Sequence, residues 1–278
     1  MKTLYNVLNL KKYTIYALVI LALLVPLVKP LGIPVKITAD TRRFYAAIED
    51  LQPGDVVLWD INFQLAGASE LAPQITAMAY HMAQRDAKCI IVSMHPEAYP
   101  FALNAVQEFK DLGNVYGQDM VYLGYLPGEE VAIASLLSDL HQTVPNDYEG
   151  TPIASLPLTA AVKTGNDLST VVSINTNASG PAYWTRQVQA FENLDLLFAS
   201  QASLKTQIQT YLATGQMKAS LDGARCTAEY ELMLDKPGKA LAMQDASSST
   251  FLIFLLFVVF GNIVQHMSPP AKGKGDAK

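Results

Sequence analysis

Asp60, His95 and either Ser173 or Ser179 supply a carboxylate, an imidazole and a hydroxyl on segments that read as neighbouring loops. These are the parts of a hydrolytic triad, in which the acid orients the imidazole and the imidazole takes the hydroxyl proton. Neither serine lies in the GxSxG elbow that forces a nucleophile out of a strand-to-helix turn. His95 precedes Pro96, where a loop histidine also serves by packing its ring. Asp60 with Asn62 offers oxygen ligands to a magnesium ion, and a carboxylate followed by amides equally suits the capping of a loop. Asn175, Asn177, Ser179 and Gly180 run into Pro181, so backbone N–H groups and hydroxyls there can meet an anion. The same residue types are the ordinary N-caps of a helix with proline in its first turn. Asp60, Asn62, Ser93, His95, Asn175, Asn177, Ser179 and Gly180 together form the expected ligand-binding set.

Other chemistries are excluded by residue type or spacing. His81, His95, His141 and His266 are scattered without an HExxH pair, and Cys89 and Cys226 make no CxxC, so no metal site is expected. The loop Asn62-Phe63-Gln64-Leu65-Ala66-Gly67 has neither GxGxxG nor GxxxxGK[ST], and no nucleotide cofactor is expected. A net charge of −5, with Lys11-Lys12 and Arg42-Arg43 as the dibasic pairs, leaves no basic cluster to neutralise a nucleic acid. Arg225 and Glu229 stand four residues apart, the spacing of an exposed ion pair on a helix.

The elements that must position these groups are legible as alternating patterns. Short apolar runs at 56–61, 89–93, 120–124, 169–174 and 196–200 predict strands. Helical spacing follows each of them, at 69–84, 100–112, 127–141, 181–193 and 203–212. A short helix at 44–51 precedes the first strand, and 217–221 followed by 224–234 reads as an edge strand and a helix. Residues 143–167, rich in proline, glycine and polar side chains, form an excursion. Strand–helix alternation is the mark of right-handed βαβ units, so 37–245 is predicted to be a Rossmann-like three-layer α/β domain with a mainly parallel sheet. Ligands bind such sheets at the carboxyl ends of the strands, where the candidate residues fall.

Half of the 278 residues are hydrophobic and only 16% are charged, below the quarter or so usual in soluble domains. The excess lies in two uncharged stretches, 13–28 and 251–264. The first follows a lysine-bearing start, is prolonged by the apolar 31–35 and lacks a small-x-small cleavage site, so 1–36 is read as a retained transmembrane anchor. The second is extended on both sides to a transmembrane helix at 246–268, stopped by Pro269-Pro270 and followed by a basic tail, 269–278. Two spans make a two-pass integral membrane protein with both termini on one side. Lys2, Lys11, Lys12, Lys272, Lys274 and Lys278 flank that side, balanced by Lys29, Lys36, Arg42, Arg43, Lys236 and Lys239 on the other. The acid-free N-terminus tips the orientation toward an extracytoplasmic domain.

Three motifs carry a likeness: Gly124-Tyr125-Leu126-Pro127-Gly128-Glu129, Asp147-Tyr148-Glu149-Gly150-Thr151-Pro152, and Gly215-Gln216-Met217 with Ala228-Glu229-Tyr230-Glu231. Through them the chain resembles an uncharacterised prokaryotic family of membrane-anchored Rossmann-like proteins. The resemblance implies an anchor, a domain and a closing hydrophobic helix in that order, and no reaction, cofactor or catalytic residue. Where that family runs glycine-rich near its end, this chain has Ala219-Ser220-Leu221-Asp222.

The expected function is a binding or assembly module in a membrane complex. Its expected partners are the lipid bilayer and either a membrane protein or a second copy of the chain, with no nucleic acid. Gly261-Asn262 within the second span suits close helix contact in a bilayer. A membrane-bound hydrolase using Ser, His and Asp at the strand ends, and a transferase using a nucleotide or sugar, are the competing expectations.

Overall fold

A computed structural model describes residues 12–267, and the chain divides into two units, Val35–Leu241 and the terminal pieces up to Pro34 and from Ala242. The larger unit alternates helix and strand. Helix α2 (Ala39–Glu49) leads into β1 (Val56–Asn62), then α3 (Ala68–Gln84), β2 (Lys88–Ser93), α4 (Tyr99–Asp111), β3 (Met120–Tyr125) and α5 (Glu129–Ser138). After the excursion come β4 (Thr170–Asn175), α6 (Gly180–Val188), β5 (Asp195–Ser200), α7 (Lys205–Ala213), β6 (Ala219–Asp222) and α8 (Gly223–Met233). The six strands are ordered β3-β2-β1-β4-β5-β6, and every pairing is parallel. Parallel neighbours need a crossover between them, which the helices supply.

Alternation along each strand makes two cores. Trp59, Ile91, Tyr122, Val172, Leu197 and Leu221 face one side, against Phe44 and Ile48 of α2, Met78 of α3, Phe109 of α4 and Tyr230 of α8. Leu58, Ile90, Val121, Val171 and Phe198 face the other, against Leu136 of α5, Trp184 of α6, Ile208 of α7 and Ile153 and Leu158 of the excursion. Helices on both faces are why the strands read as continuous apolar runs. Each large side chain so buried contributes roughly 1.5–3 kcal/mol.

The sequence placed the first helix at 44–51. It begins five residues earlier, because the Thr38 side chain accepts from the Thr41 N–H and caps it. The helix after β1 starts at Ala68, behind a tight turn at Leu65–Gly67, without a side-chain cap from Ser69 or Glu70. Arg225 and Glu229 do pair at 3.1 Å, but only the Arg225 end is exposed. Glu229 is completely buried and accepts from the Thr38 N–H, the Thr38 hydroxyl and the Thr41 hydroxyl at 2.7–2.8 Å. Burial alone would raise its pKa, yet these donors and Arg225 hold it below the ordinary glutamate value. Two residues on, Glu231 accepts from the N–H groups of Gly238, Ala240 and Leu241. The Ala228-Glu229-Tyr230-Glu231 motif is thus a pair of buried anchors for the segments on which the chain enters and leaves the domain. Tyr230 between them meets His81 at 2.7 Å.

The smaller unit holds α1 (Lys12–Val28) and most of α9 (Lys239–Met267). Lys239–Ile263 is long and apolar enough to cross a membrane, whereas Tyr13–Val28 is apolar but shorter. The first segment was expected to reach spanning length together with 31–35. Pro30 and Pro34 hold 29–35 out of the helix, while 239–250 form helix continuously with the apolar stretch that follows. Past α1 the N–H groups of Leu31, Gly32 and Ile33 all donate to the buried Asp245 carboxylate at 2.7–3.2 Å. The Ser249 hydroxyl donates to the Ala22 carbonyl at 2.8 Å. The basic tail 269–278 and the first lysines, Lys2 and Lys11, lie outside the described residues.

Candidate functional site

The strand order turns at β1 and β4. From β1 the chain continues to β2 on one side, and from β3 it crosses to β4 on the other. Loops diverging from adjacent strands open the crevice in which ligands of such sheets bind. Register sets Asp60 opposite Ser173 and Asn62 opposite Asn175, with Asn175 in turn opposite Ser200. Most of the expected set therefore gathers here.

Its floor is sealed. Asp60 is wholly buried, and its Oδ2 accepts from the Ser173 hydroxyl and the Trp184 indole N–H, each at 2.7 Å. Oδ1 has no partner among the described residues. Burial pushes the Asp60 pKa up to about 7, against the opposing bonds from Ser173, Trp184 and Asn62. The carboxyl group can therefore be protonated at neutral pH. Ser173, also without exposure, bonds this acid directly, with no imidazole between them.

The remaining candidates are held by their own loops. His95, half-buried, accepts the Glu97 N–H on Nδ1 at 3.3 Å and so caps the turn Pro96–Ala98. Ser93 accepts from the Tyr122 hydroxyl at 3.2 Å inside the core. Asn175 accepts the Asn177 N–H at 2.6 Å, and Asn177 accepts the Ser179 N–H at 2.9 Å, two successive side-chain turns that lead into α6. Gly180 is required where it stands, since a Cβ there would come within 2.6 Å of the Asn175 amide. Ser179 flanks α6 with no side-chain cap. Asp60, Ser173 and Asn62 are brought together, as are Asn175, Asn177, Ser179 and Gly180, while Ser93 and His95 belong to the β2 end.

Above the floor the β1 and β4 loops are tied together. The Thr176 N–H donates to the Asn62 carbonyl at 3.3 Å, and the Gln64 N–H to the Thr176 hydroxyl at 3.2 Å. Gly67 lies so close that a Cβ would reach Thr176 at 2.6 Å and the Gln201 amide at 3.1 Å. What remains accessible is a rim of amides and hydroxyls, Asn62, Gln64, Thr176, Asn177, Ser179 and Gln201, edged by two carboxylates: Glu97 accepts from the Leu65 N–H at 2.7 Å and Glu70 from the Ala202 N–H at 3.2 Å. Its amides and hydroxyls can donate and accept hydrogen bonds.

Sequence reasoning missed Trp184 and Thr176, which close this site. The signal for Trp184 was a tryptophan on a predicted core helix, whose indole N–H needs an acceptor. A second acidic cluster was also missed. Asp222 at the end of β6 is buried, accepts from Ser200 at 2.8 Å and Ser220 at 2.7 Å, and is raised in pKa by burial despite those bonds. Among the described residues no group of three His, Cys, Asp or Glu side chains is placed to hold a metal ion.

The remaining quoted motifs have structural places. Tyr148 donates its N–H to the Tyr122 carbonyl at 3.1 Å and so adds one rung to the exposed edge of β3. Asp147 holds that turn, accepting from the N–H groups of Glu149 and Thr151 and from the Tyr116 hydroxyl. Gly124 takes a φ of +92° near the end of β3, which residues with a Cβ rarely adopt. No protein-family model matches the chain, and no curated protein does so.

Proposed function

We propose that this protein is a membrane-anchored binding module, whose α/β domain holds a partner at the carboxyl-end rim of β1, β4 and β5 and does not transform a substrate. The observation that carries this is the direct Ser173–Asp60 bond beneath Trp184. A hydroxyl that is wholly buried and already donates to a wholly buried acid has no path to a substrate. The amide- and hydroxyl-rich rim above it suits recognition of a polar surface.

The anchor is a two-pass hairpin. α9 crosses the bilayer, and α1 with the extended 29–35 forms the second arm. Asp245 supports retention of that arm, since removing residues up to 35 would strip three N–H donors from a buried carboxylate. With both termini on one side, the domain lies on the other, which the acid-free start makes extracytoplasmic. The partner is a second membrane protein or a second copy of this chain. Gly261 leaves open space where a Cβ would stand, room for a close helix neighbour in the bilayer.

Crosslinking in native membranes tests the binding role. A discrete adduct, with itself or a co-purifying chain, is expected, and recovery of monomer alone would contradict it. A serine-reactive fluorophosphonate is expected to leave the chain unlabelled. Labelling that disappears in His95→Ala would instead establish the hydrolase.

A further inference from the structure

On the helical layer that carries α3 and α4, a cavity of about 240 Å³ opens between these two helices and the segment 234–238 that joins α8 to α9. Its α3 wall is Ala72, Pro73 and Ala77, side chains too short to fill the space, and Leu234 and Pro237 complete the apolar lining. The segment is held in place by the buried Glu231, which accepts from the N–H groups of Gly238, Ala240 and Leu241 at 2.8–3.1 Å. A Cβ on Gly238 would reach the Glu231 carboxylate at 2.5 Å. The cavity is therefore pre-formed, as ligand sites usually are.

Four charged side chains share the lining: Glu108, Glu231, Lys236 and Lys239. Glu231 is spent on the backbone donors, but Glu108 of α4 accepts only from the Thr76 hydroxyl, at 3.0 Å, and keeps a carboxylate oxygen free among the described residues. Lys236 stands over the Tyr80 ring at 3.7 Å, and neither it nor Lys239 pairs with a carboxylate among the described residues. A ring face attracts an ammonium without taking its charge, so Lys236 can still meet an anion. A carboxylate and ammonium groups left unpaired around one small apolar cavity are complementary to a molecule that brings both opposite charges. We propose that this cavity binds a small aliphatic α-amino acid, with its ammonium at Glu108, its carboxylate at Lys236 and Lys239, and its side chain on the α3 wall. Just under the ~300–1,000 Å³ of pockets for drug-sized ligands, the space suits a compact zwitterion, and an α-amino acid carries its two charges closest together. The cavity shares no residue with the carboxyl-end rim, so the proposal stands apart from the binding role given to that rim.

Isothermal titration calorimetry of the full chain in neutral detergent tests this with L-valine, with isobutylamine, which lacks the carboxylate, and with isovalerate, which lacks the ammonium. L-valine is expected to bind, and each analogue at least about tenfold more weakly, since a hydrogen-bonded charge is lost. Glu108→Gln, which still accepts from Thr76, and the double variant Lys236→Met, Lys239→Met should each weaken L-valine at least about tenfold with circular dichroism unchanged. Asn177→Ala, on the rim, keeps the wild-type affinity. Absence of L-valine binding, an analogue that binds as tightly as L-valine, wild-type affinity in either cavity variant, or loss of affinity in Asn177→Ala would each overturn the proposal. The analogue comparison uses the wild type alone and decides the matter even where a variant fails to fold.

Discussion

At Asp60 a single side chain sets both the chemistry of the crevice and a pH dependence of the fold. Its folded pKa, about 7, lies above the 3.8 of an ordinary aspartate, so folding favours the protonated form. The stability linked to that proton is complete below about pH 4 and drains away as pH rises through 7. Asp60→Asn keeps an acceptor for Ser173 and Trp184 and removes the titration. It is expected to melt above the wild type at pH 8 by about 2 kcal/mol of stability, with the gap closing at pH 4. Glu229 has the opposite sign. Its folded pKa is depressed below 4.5, so its contribution is present above that value and lost as pH falls. Glu229→Ala should cost about 2–4 kcal/mol at pH 7, since three donors from Thr38 and Thr41 lose their acceptor, and less at pH 4. Thermal melts of the two variants at both pH values check the paired signs.

Among the elements, β1 to β5 and the helices after them were visible in the sequence, because strands buried on both faces are short apolar runs and the helices carry one apolar stripe. Their order in the sheet was not visible, since nothing in 56–61 or 169–174 says that these two strands are neighbours. For the same reason the site was only half legible. Asp60 and Ser173 could be named as strand-end residues, but their bond, 113 residues apart in sequence, depends on the β1–β4 register. Glu229 was read as a surface residue because its helical neighbour Arg225 explained it locally, whereas its main partners lie 188 and 191 residues away. The excursion after β3 has an element-level role that its composition hid: it covers a sheet edge that would otherwise offer unpaired backbone groups to another chain. Asp147→Ala should release the turn, giving faster hydrogen exchange at Tyr148 to Thr151 and in β3 and leaving β4 to β6 protected. Unchanged exchange would show that the edge is held by Tyr148 alone.

For the molecule as a whole, the proposed anchor is a two-pass hairpin of α1 and α9. Among the described residues α9 alone meets the length of a full crossing, and the segment 29–35 after α1 is tied to Asp245 of α9. Cysteine mapping in sealed, right-side-out vesicles tests the claim most directly, with little background because Cys89 and Cys226 are both buried. Three single variants, Lys2→Cys, Asn166→Cys and Lys274→Cys, are exposed in turn to a membrane-impermeant maleimide before and after permeabilisation. Two crossings predict that the cysteine at 166 is labelled in sealed vesicles and that those at 2 and 274 are labelled only after permeabilisation. Labelling at 2 together with 166 in sealed vesicles would contradict the hairpin and leave α9 as a single crossing.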